Sequence, residues 1–541
     1  MKSAVVICGT LQRVRRELPA PVTYPFMHFL DYLVIAIYGL GIAALSYAVG
    51  RRQKNTEDYF TANRSIPGWV VSFTLMGTII GTGTFVGHPG TSFQKGLIFV
   101  VPHLILPIVL LVVAKFIVPF YRRVVRMSAY EYIGQRFGLG GRLYTSFGFL
   151  ADRVFDIGVT LFTTAIAVNV LTGWELRSVI IGVAAFTVAY TMLGGIKAVV
   201  WTDVVQGTVL ILGGAFVLGR LLFAPEAGAP FAVVGEAWRG GRLTLGSWEF
   251  SWASLFDPVH TTTWLFTLTA AVQWTRRYVS DQHLVQRYLL ARTDAEASRA
   301  AFTGALICVP VFFTFMFIGA CFYGFFTLAK VPAPELGDSI MPYFMMNYLP
   351  VGVLGLVAAA ILAAAMSTVS SDLTSVATVV TTDYFANFLP NTSEKARLLF
   401  GRLMIATGGA LAAISAVLLI PDKGAAPVME RALVIAAILS GGTLGLFCLG
   451  FLTRRATRLG CYTGMACCLL FTAWAVATEP RNRMIDLGFN FEMNPILIGV
   501  LGHAVLFVSG YLASLVFGGW RPENVERLTF HSHNAKAAIL T

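Results

Sequence analysis

Apolar stretches of about 18 residues or more recur along this chain of 541 residues. A stretch of that length has one stable setting, a helix crossing a lipid bilayer. They fall roughly at 29–50, 67–89, 96–120, 143–172, 177–194, 198–222, 258–283, 299–327, 347–384, 398–420, 429–452, 459–477 and 494–518. That predicts an all-α polytopic membrane protein with about thirteen transmembrane helices. Composition agrees, with 56% hydrophobic residues, only 13% charged and a mean hydropathy of +0.71. The formal charge of +12 does not point to nucleic acid. Its lysines and arginines sit in short clusters between apolar spans, where they set topology.

Those clusters orient the chain. With the N-terminus outside, alternate loops carrying Arg51, Arg52 and Lys54, then Arg122, Arg123 and Arg126, then Arg287 and Arg292, then Arg454, Arg455 and Arg458 all fall inside. The C-terminal tail with Arg521 and Arg527 does too, whereas Arg481 and Arg483 run against the pattern. The setting is a multi-pass protein of the cell inner (plasma) membrane. Residues 1–26 do not read as a signal peptide, because Ala4–Gly9 is too short an apolar core and its arginines follow it. They are a soluble tail or an over-called start.

The stretch Ala363–Asp372 lies inside the span 347–384. At helical spacing Ala364, Ser367, Thr368 and Ser371 share one face. Three hydroxyls without bulk suit close helix packing, or a small hard cation that wants oxygen ligands. Asp372 adds a carboxylate, and an acid at membrane depth costs about 2.5–3.5 kcal/mol, so it marks function by default.

Two spans are interrupted. The second holds Gly68, Gly77, Gly81, Gly83, Gly87 and Gly90, which makes a kinked, closely packed helix or one that unwinds and frees carbonyls to bind something. The seventh reaches the polar run Gln273–Tyr278 before it has finished crossing, so it is either broken there or lies against water. Two discontinuous helices five apart are the mark of an inverted-repeat transporter. Asp203 is either an acid at a helix start or a functional carboxylate. Arg153 can pair with Asp152 or Asp156, the latter at the favoured i, i+3 spacing. His103 is a packed histidine or a solute ligand.

No GxSxG, HExxH, P-loop or dinucleotide-binding context is present, and no soluble region is long enough for ATP hydrolysis, so the chain reads as no enzyme. Transport has to be secondary, driven by an ion gradient. The seven cysteines lie mostly in apolar spans and read as packing residues.

Three segments then align with one family. Gly194–Gln206 (GGIKAVVWTDVVQ), Asp281–Leu289 (DQHLVQRYL) and the Ala364, Met366, Ser367, Thr368, Ser370, Ser371 set resemble the signatures of the sodium:solute symporter family. The similarity runs from about residue 29 to 455, in the family's order and spacing. It implies a LeuT-type five-plus-five inverted repeat with one preceding and two following helices. The implied divisions are an N-terminal tail (1–26), a preceding helix (27–50), two repeat halves (67–222 and 258–452), two peripheral helices (453–518) and a cytoplasmic tail (519–541). It also implies alternating access, with sodium and solute bound together near the midplane.

Carried over residue by residue, the principal sodium site takes the carbonyls of Gly77, Ile80 and Ala364 and the hydroxyls of Ser367 and Thr368. Asp203, Ser370 and Ser371 match a second sodium site found in some members, so the cofactor is Na+, one ion or two. Solute positions fit less closely. Thr84 and His103 replace the glutamine and glutamate of sugar-transporting relatives, and Asp156 falls near an arginine of sialic-acid-transporting ones. Trp274 and Tyr278 resemble the aromatic pair of proline-transporting relatives, while Arg276 and Arg277 depart from it. Either one of the two meets a solute carboxylate, with Arg277 taken as the solute-site candidate, or both are ordinary cytoplasmic-side charge. The expected partners are a small polar solute (an amino acid, a carboxylate, or a polyol or sugar) and the bilayer, with no nucleic acid and no obligate protein partner. A proton-coupled transporter of the same fold, using Asp203 or Asp372, and a membrane solute sensor are the alternatives.

Overall fold

In the computed structural model the described residues are 27–51, 55–256, 262–334, 337–420, 441–480 and 483–530. The expected N-terminal tail, the first part of the 429–452 span, the end of the C-terminal tail and Arg52, Lys54 and Arg481 lie outside them. The described chain is helical, with a single isolated bridge between Ile66 and Ala291 and no strand.

The helices that matter here are α1 (Phe29–Gly50), α2 (Gly68–Ile79), α3 (His88–Lys95) and α4, which runs in short pieces from Val101 to Val124. Then come α5 (Leu139–Thr172), α6 (Leu176–Leu222), α7 (Thr263–Ser280), α8 (Gln282–Leu290) and α9 (Asp294–Ala329). The rest are α10 (Gly337–Tyr348), α11 (Val353–Val379), α12 (Glu394–Leu418), α13 (Thr443–Leu452), α14 (Arg458–Thr478) and α15 (Leu497–Phe517). Among the described residues nine helical runs are by themselves long and apolar enough to cross a membrane, and α2 and α13 are shorter apolar helices.

Many start points are written locally. His28 accepts from the Leu30 amide and Asp31 reaches back to the His28 amide, starting α1. Thr262, Thr293, Ser393 and Thr457 cap α7, α9, α12 and α14 through their hydroxyls. The two predicted spans 177–194 and 198–222 join without a loop. Gly195 alone turns the chain, at φ 54 and ψ −166, a conformation that favours glycine.

The seventh span differs from expectation. Its polar run does not break the helix: α7 continues through Gln273–Tyr278 and stops at Asp281, with φ −90 and ψ 121. The run stays helical because its polar groups find partners beside it, Arg276 donating to Gln273 (3.0 Å) and to Asp281 (3.0 Å). The following α8 is buried along its whole length.

The core of the bundle is α11, of which Ala363–Val379 are all buried. It packs mainly against α6, with further contacts to α5, α1 and α2. Its N-terminus has no cap of its own. Asp31 of α1, fully buried, accepts the amides of Gly352 (2.7 Å) and Gly355 (2.8 Å) instead. Gly355 permits this, since a Cβ there would lie 2.6 Å from Asp31 Cα. Asp31→Ala strands both amides and lowers stability by about 1–3 kcal/mol. The check is a depressed thermal midpoint in detergent, with Asp31→Asn falling between the two.

Candidate functional site

The second span breaks where its glycines are densest. Ile80 leaves the helix at φ −91 and ψ 97, and the chain resumes through a wide helical turn at Gly83–Gly87. Missing side chains at Gly77 and Gly81 also let α11 approach. A Cβ on Gly77 would lie 2.8 Å from Ser367 Oγ, and one on Gly81 would lie 2.6 Å from Thr368 Oγ1.

The predicted principal set meets at this break. Ser367 Oγ lies 3.0 Å from the Gly77 carbonyl, and Thr368 Oγ1 donates to the Ala364 carbonyl at 3.2 Å. A narrow cavity beside them is lined by Gly77, Ile80, Ala364 and Ser367, with Met76 and Gln206. Carbonyl and hydroxyl oxygens from a broken helix and its neighbour form a hard donor set suited to a small cation. The donor set fits sodium in its chemistry, and a Cβ on Gly77 or Gly81 would press into the Ser367 and Thr368 hydroxyls, so glycine leaves those oxygens unobstructed.

Asp203 faces the same junction, fully buried. It does not cap its own helix. Its Oδ1 accepts from Ser367 Oγ at 2.7 Å and its Oδ2 from Thr74. The Ser367 hydroxyl thus stands between Asp203 and the Gly77 carbonyl, touching both predicted sets. Ser370 turns back to the Ser367 carbonyl at 3.2 Å. Ser371 Oγ meets Thr78 Oγ1 (3.2 Å) and Arg287 Nη2 (2.5 Å), and the Arg287 guanidinium comes within 3.9 Å of Asp203. Sequence reasoning missed Thr74, Thr78 and Arg287 here. The threonines are one turn apart on the broken helix, a signal that was present. Arg287, expected as a loop charge, is instead fully buried in α8, and its place in the Asp281–Leu289 motif does not say what it meets.

The aromatic solute positions gather at the other side of the break. His103 packs edge-on to Trp274, ring centroids 5.8 Å apart, and Trp274 lies 6.3 Å from Tyr278. Trp274 Nε1 donates to the Pro102 carbonyl at 2.8 Å, which fixes the indole. Phe312 and His88, neither foreseen, complete the group at 3.8 Å and 5.4 Å from His103. Both His103 ring nitrogens and the Tyr278 hydroxyl lack partners among the described residues. Thr84 is buried in the wide turn.

The adjacent arginines divide. Arg276 is buried and tied to Asp281 (3.0 Å), with Asp152 at 3.6 Å. Arg277 is half-buried, its guanidinium 5.9 Å from the Trp274 ring centre, and makes no ion pair among the described residues. Asp156 is bound to Arg153 at 2.9 Å as its spacing predicted, while about a third of its side chain (34%) remains exposed.

Comparison with known proteins matches residues 59–467 to the sodium:solute symporter family. The sodium/sialic acid symporter NanT of Aliivibrio fischeri is 28% identical over 494 residues, covering 90% of this chain and 93% of that protein. The sodium-coupled monocarboxylate transporter 1 of Mus musculus is 28% identical, covering 82% and 72%. The fold is that of a solved sodium-coupled sialic acid symporter, at TM-score 0.80 and 22% identity, over 91% of this chain and 99% of that one. These relatives are transporters, not enzymes. With its motifs in register, its second span broken at the glycines and its match covering most of its length, the chain belongs to the sodium:solute symporter family.

Proposed function

We propose that the protein imports a small polar organic solute together with sodium by alternating access. The ion is held by the carbonyls of Gly77, Ile80 and Ala364 and the hydroxyls of Ser367 and Thr368. One observation carries this reading: Ser367 reaches the Gly77 carbonyl across the break in α2, at 3.0 Å. The geometry favours one ion over two, because the Arg287 guanidinium already stands beside Asp203 and Ser371.

The solute lies against Trp274, His103 and Tyr278, and carries a carboxylate. Arg277 supports this, as a half-buried guanidinium at the aromatic group with no acid partner among the described residues. Two of the relatives act on sialic acid or monocarboxylates, as their names state. The exposed part of Asp156 suits a donor group on the same solute. In this reading the N-terminus is outside and the C-terminus cytoplasmic, from the lysine and arginine distribution.

Thermal stability in detergent across a panel of carboxylates, amino acids and sugars, in sodium and in potassium, tests this. A carboxylate that stabilises in sodium and not in potassium is the expected result. Uptake that is equal in sodium-free buffer overturns sodium coupling and turns attention to protons. In Arg277→Ala, removal of the charged anchor weakens solute binding about 10-fold or more at saturating sodium. Unchanged solute affinity there removes the carboxylate anchor.

A further inference from the structure

Arg153 of α5 is buried to 2% exposure and faces three carboxylates. Its Nη2 donates to Asp152 at 2.7 Å. Its Nη1 donates to Asp156 at 2.9 Å, and the same nitrogen lies 3.5 Å from Oδ1 of Asp372 on α11. Asp372 is 1% exposed, and neither of its oxygens accepts a hydrogen bond among the described residues. Arg276 is engaged by Asp281 and lies nearer to Asp152, and Arg277 and Arg287 attract Asp372 through space without an ion pair to it among the described residues.

A buried carboxylate left without donors is costly, and the hold of Asp156 on Nη1 at 2.9 Å keeps that nitrogen 3.5 Å from Asp372, beyond hydrogen-bond length, so the two acids pull one nitrogen between them. Asp156 keeps about a third of its side chain exposed (34%), while Asp372 is buried on the ion helix, four residues after Thr368 and therefore on its face.

We propose that Arg153 is a positioning residue that couples solute to sodium by exchanging Asp156 for Asp372, an inference that rests on the sodium site proposed above. A solute that brings an amine or hydroxyl to Asp156 takes over that carboxylate. Arg153 Nη1 is then free to close the short distance to Asp372. Pinning Asp372 fixes the turn of α11 that carries Thr368 and Ser371, so the ion meets hydroxyls that are already ordered. By linkage the reverse holds: sodium binding holds α11 where Asp372 engages Arg153, which releases Asp156 for the solute.

The test needs sodium alone. Asp156→Ala removes the competitor and imitates an occupied solute site. Sodium affinity is read from thermal stabilisation of the full chain in detergent, titrating NaCl against KCl at constant ionic strength. The expected result is a rise of about 5-fold or more in Asp156→Ala, and no rise when Asp156→Ala is added to Asp372→Asn. A merely structural role for Arg153 predicts no gain in affinity from losing Asp156. An unchanged or weakened sodium affinity in Asp156→Ala overturns the exchange, as does an equal rise in the Asp372→Asn background. Should Asp372→Asn not fold, Asp156→Ala alone decides by the same criterion. Failure of the underlying site is distinct: the native chain itself then shows no stabilisation by sodium over potassium, and the exchange falls with it.

Discussion

Solute uptake by Thr368→Ala reaches half-maximal rate only at about 10- to 150-fold more sodium than the native chain needs, as loss of one oxygen from a charged ligand set removes about 1.5–3 kcal/mol. The site offers no substitute. Thr368 Oγ1 faces Gly81 at the break, which has no side chain to replace it. Thr368→Ser keeps the hydroxyl and stays within a few-fold of native. The effect falls on the sodium requirement, and the maximal rate at high sodium is recovered. A curve for Thr368→Ala that overlies the native one removes Thr368 from the ion site. Ser367→Ala goes further, because its hydroxyl also serves Asp203.

Arg287→Ala is the second large effect. Arg287 and Asp203 are both fully buried, and removing one partner of a buried pair costs about 3–5 kcal/mol because the other charge is left uncompensated. Sodium is expected to restore part of this loss where potassium does not, because Asp203 and Ser371 lose the guanidinium that stands beside both. The thermal midpoint of Arg287→Ala therefore depends more steeply on sodium than that of the native chain. Equal sodium dependence in the two proteins means that the second set does not take the ion even when Arg287 is gone.

Much of this was legible in the sequence for a physical reason. Periodicity within one helix is local, so the stripe of Ala364, Ser367 and Thr368 needed no tertiary information, and glycine density marked where the neighbouring helix opens. What a side chain meets across the bundle is not local. Arg287 reaches Ser371 over 84 residues of sequence, and no spacing rule announces that contact. Asp372 was visible as a charge at membrane depth, but its competition with Asp156 depends on a single nitrogen of Arg153. The polar run in α7 misled in a different way. Polarity within a span signals unwinding only when the groups lack side-chain partners, and here Gln273 and Asp281 supply them.

The chain of Asp156, Arg153, Asp152, Arg276 and Asp281 has one more consequence. It runs to the segment that leads into the helix Tyr130–Phe137, where Gln282 beside Asp281 bonds the backbone of Met127 and Ala129. A closure made of alkyl side chains resists wetting, because each water that enters meets surface it cannot bond. A closure made of guanidinium and carboxylate groups behaves oppositely: water arriving between them solvates every ion it separates and returns much of the attraction it breaks. Any opening of the bundle along this ion chain is therefore expected to be a hydration event, favoured once the first molecules have entered.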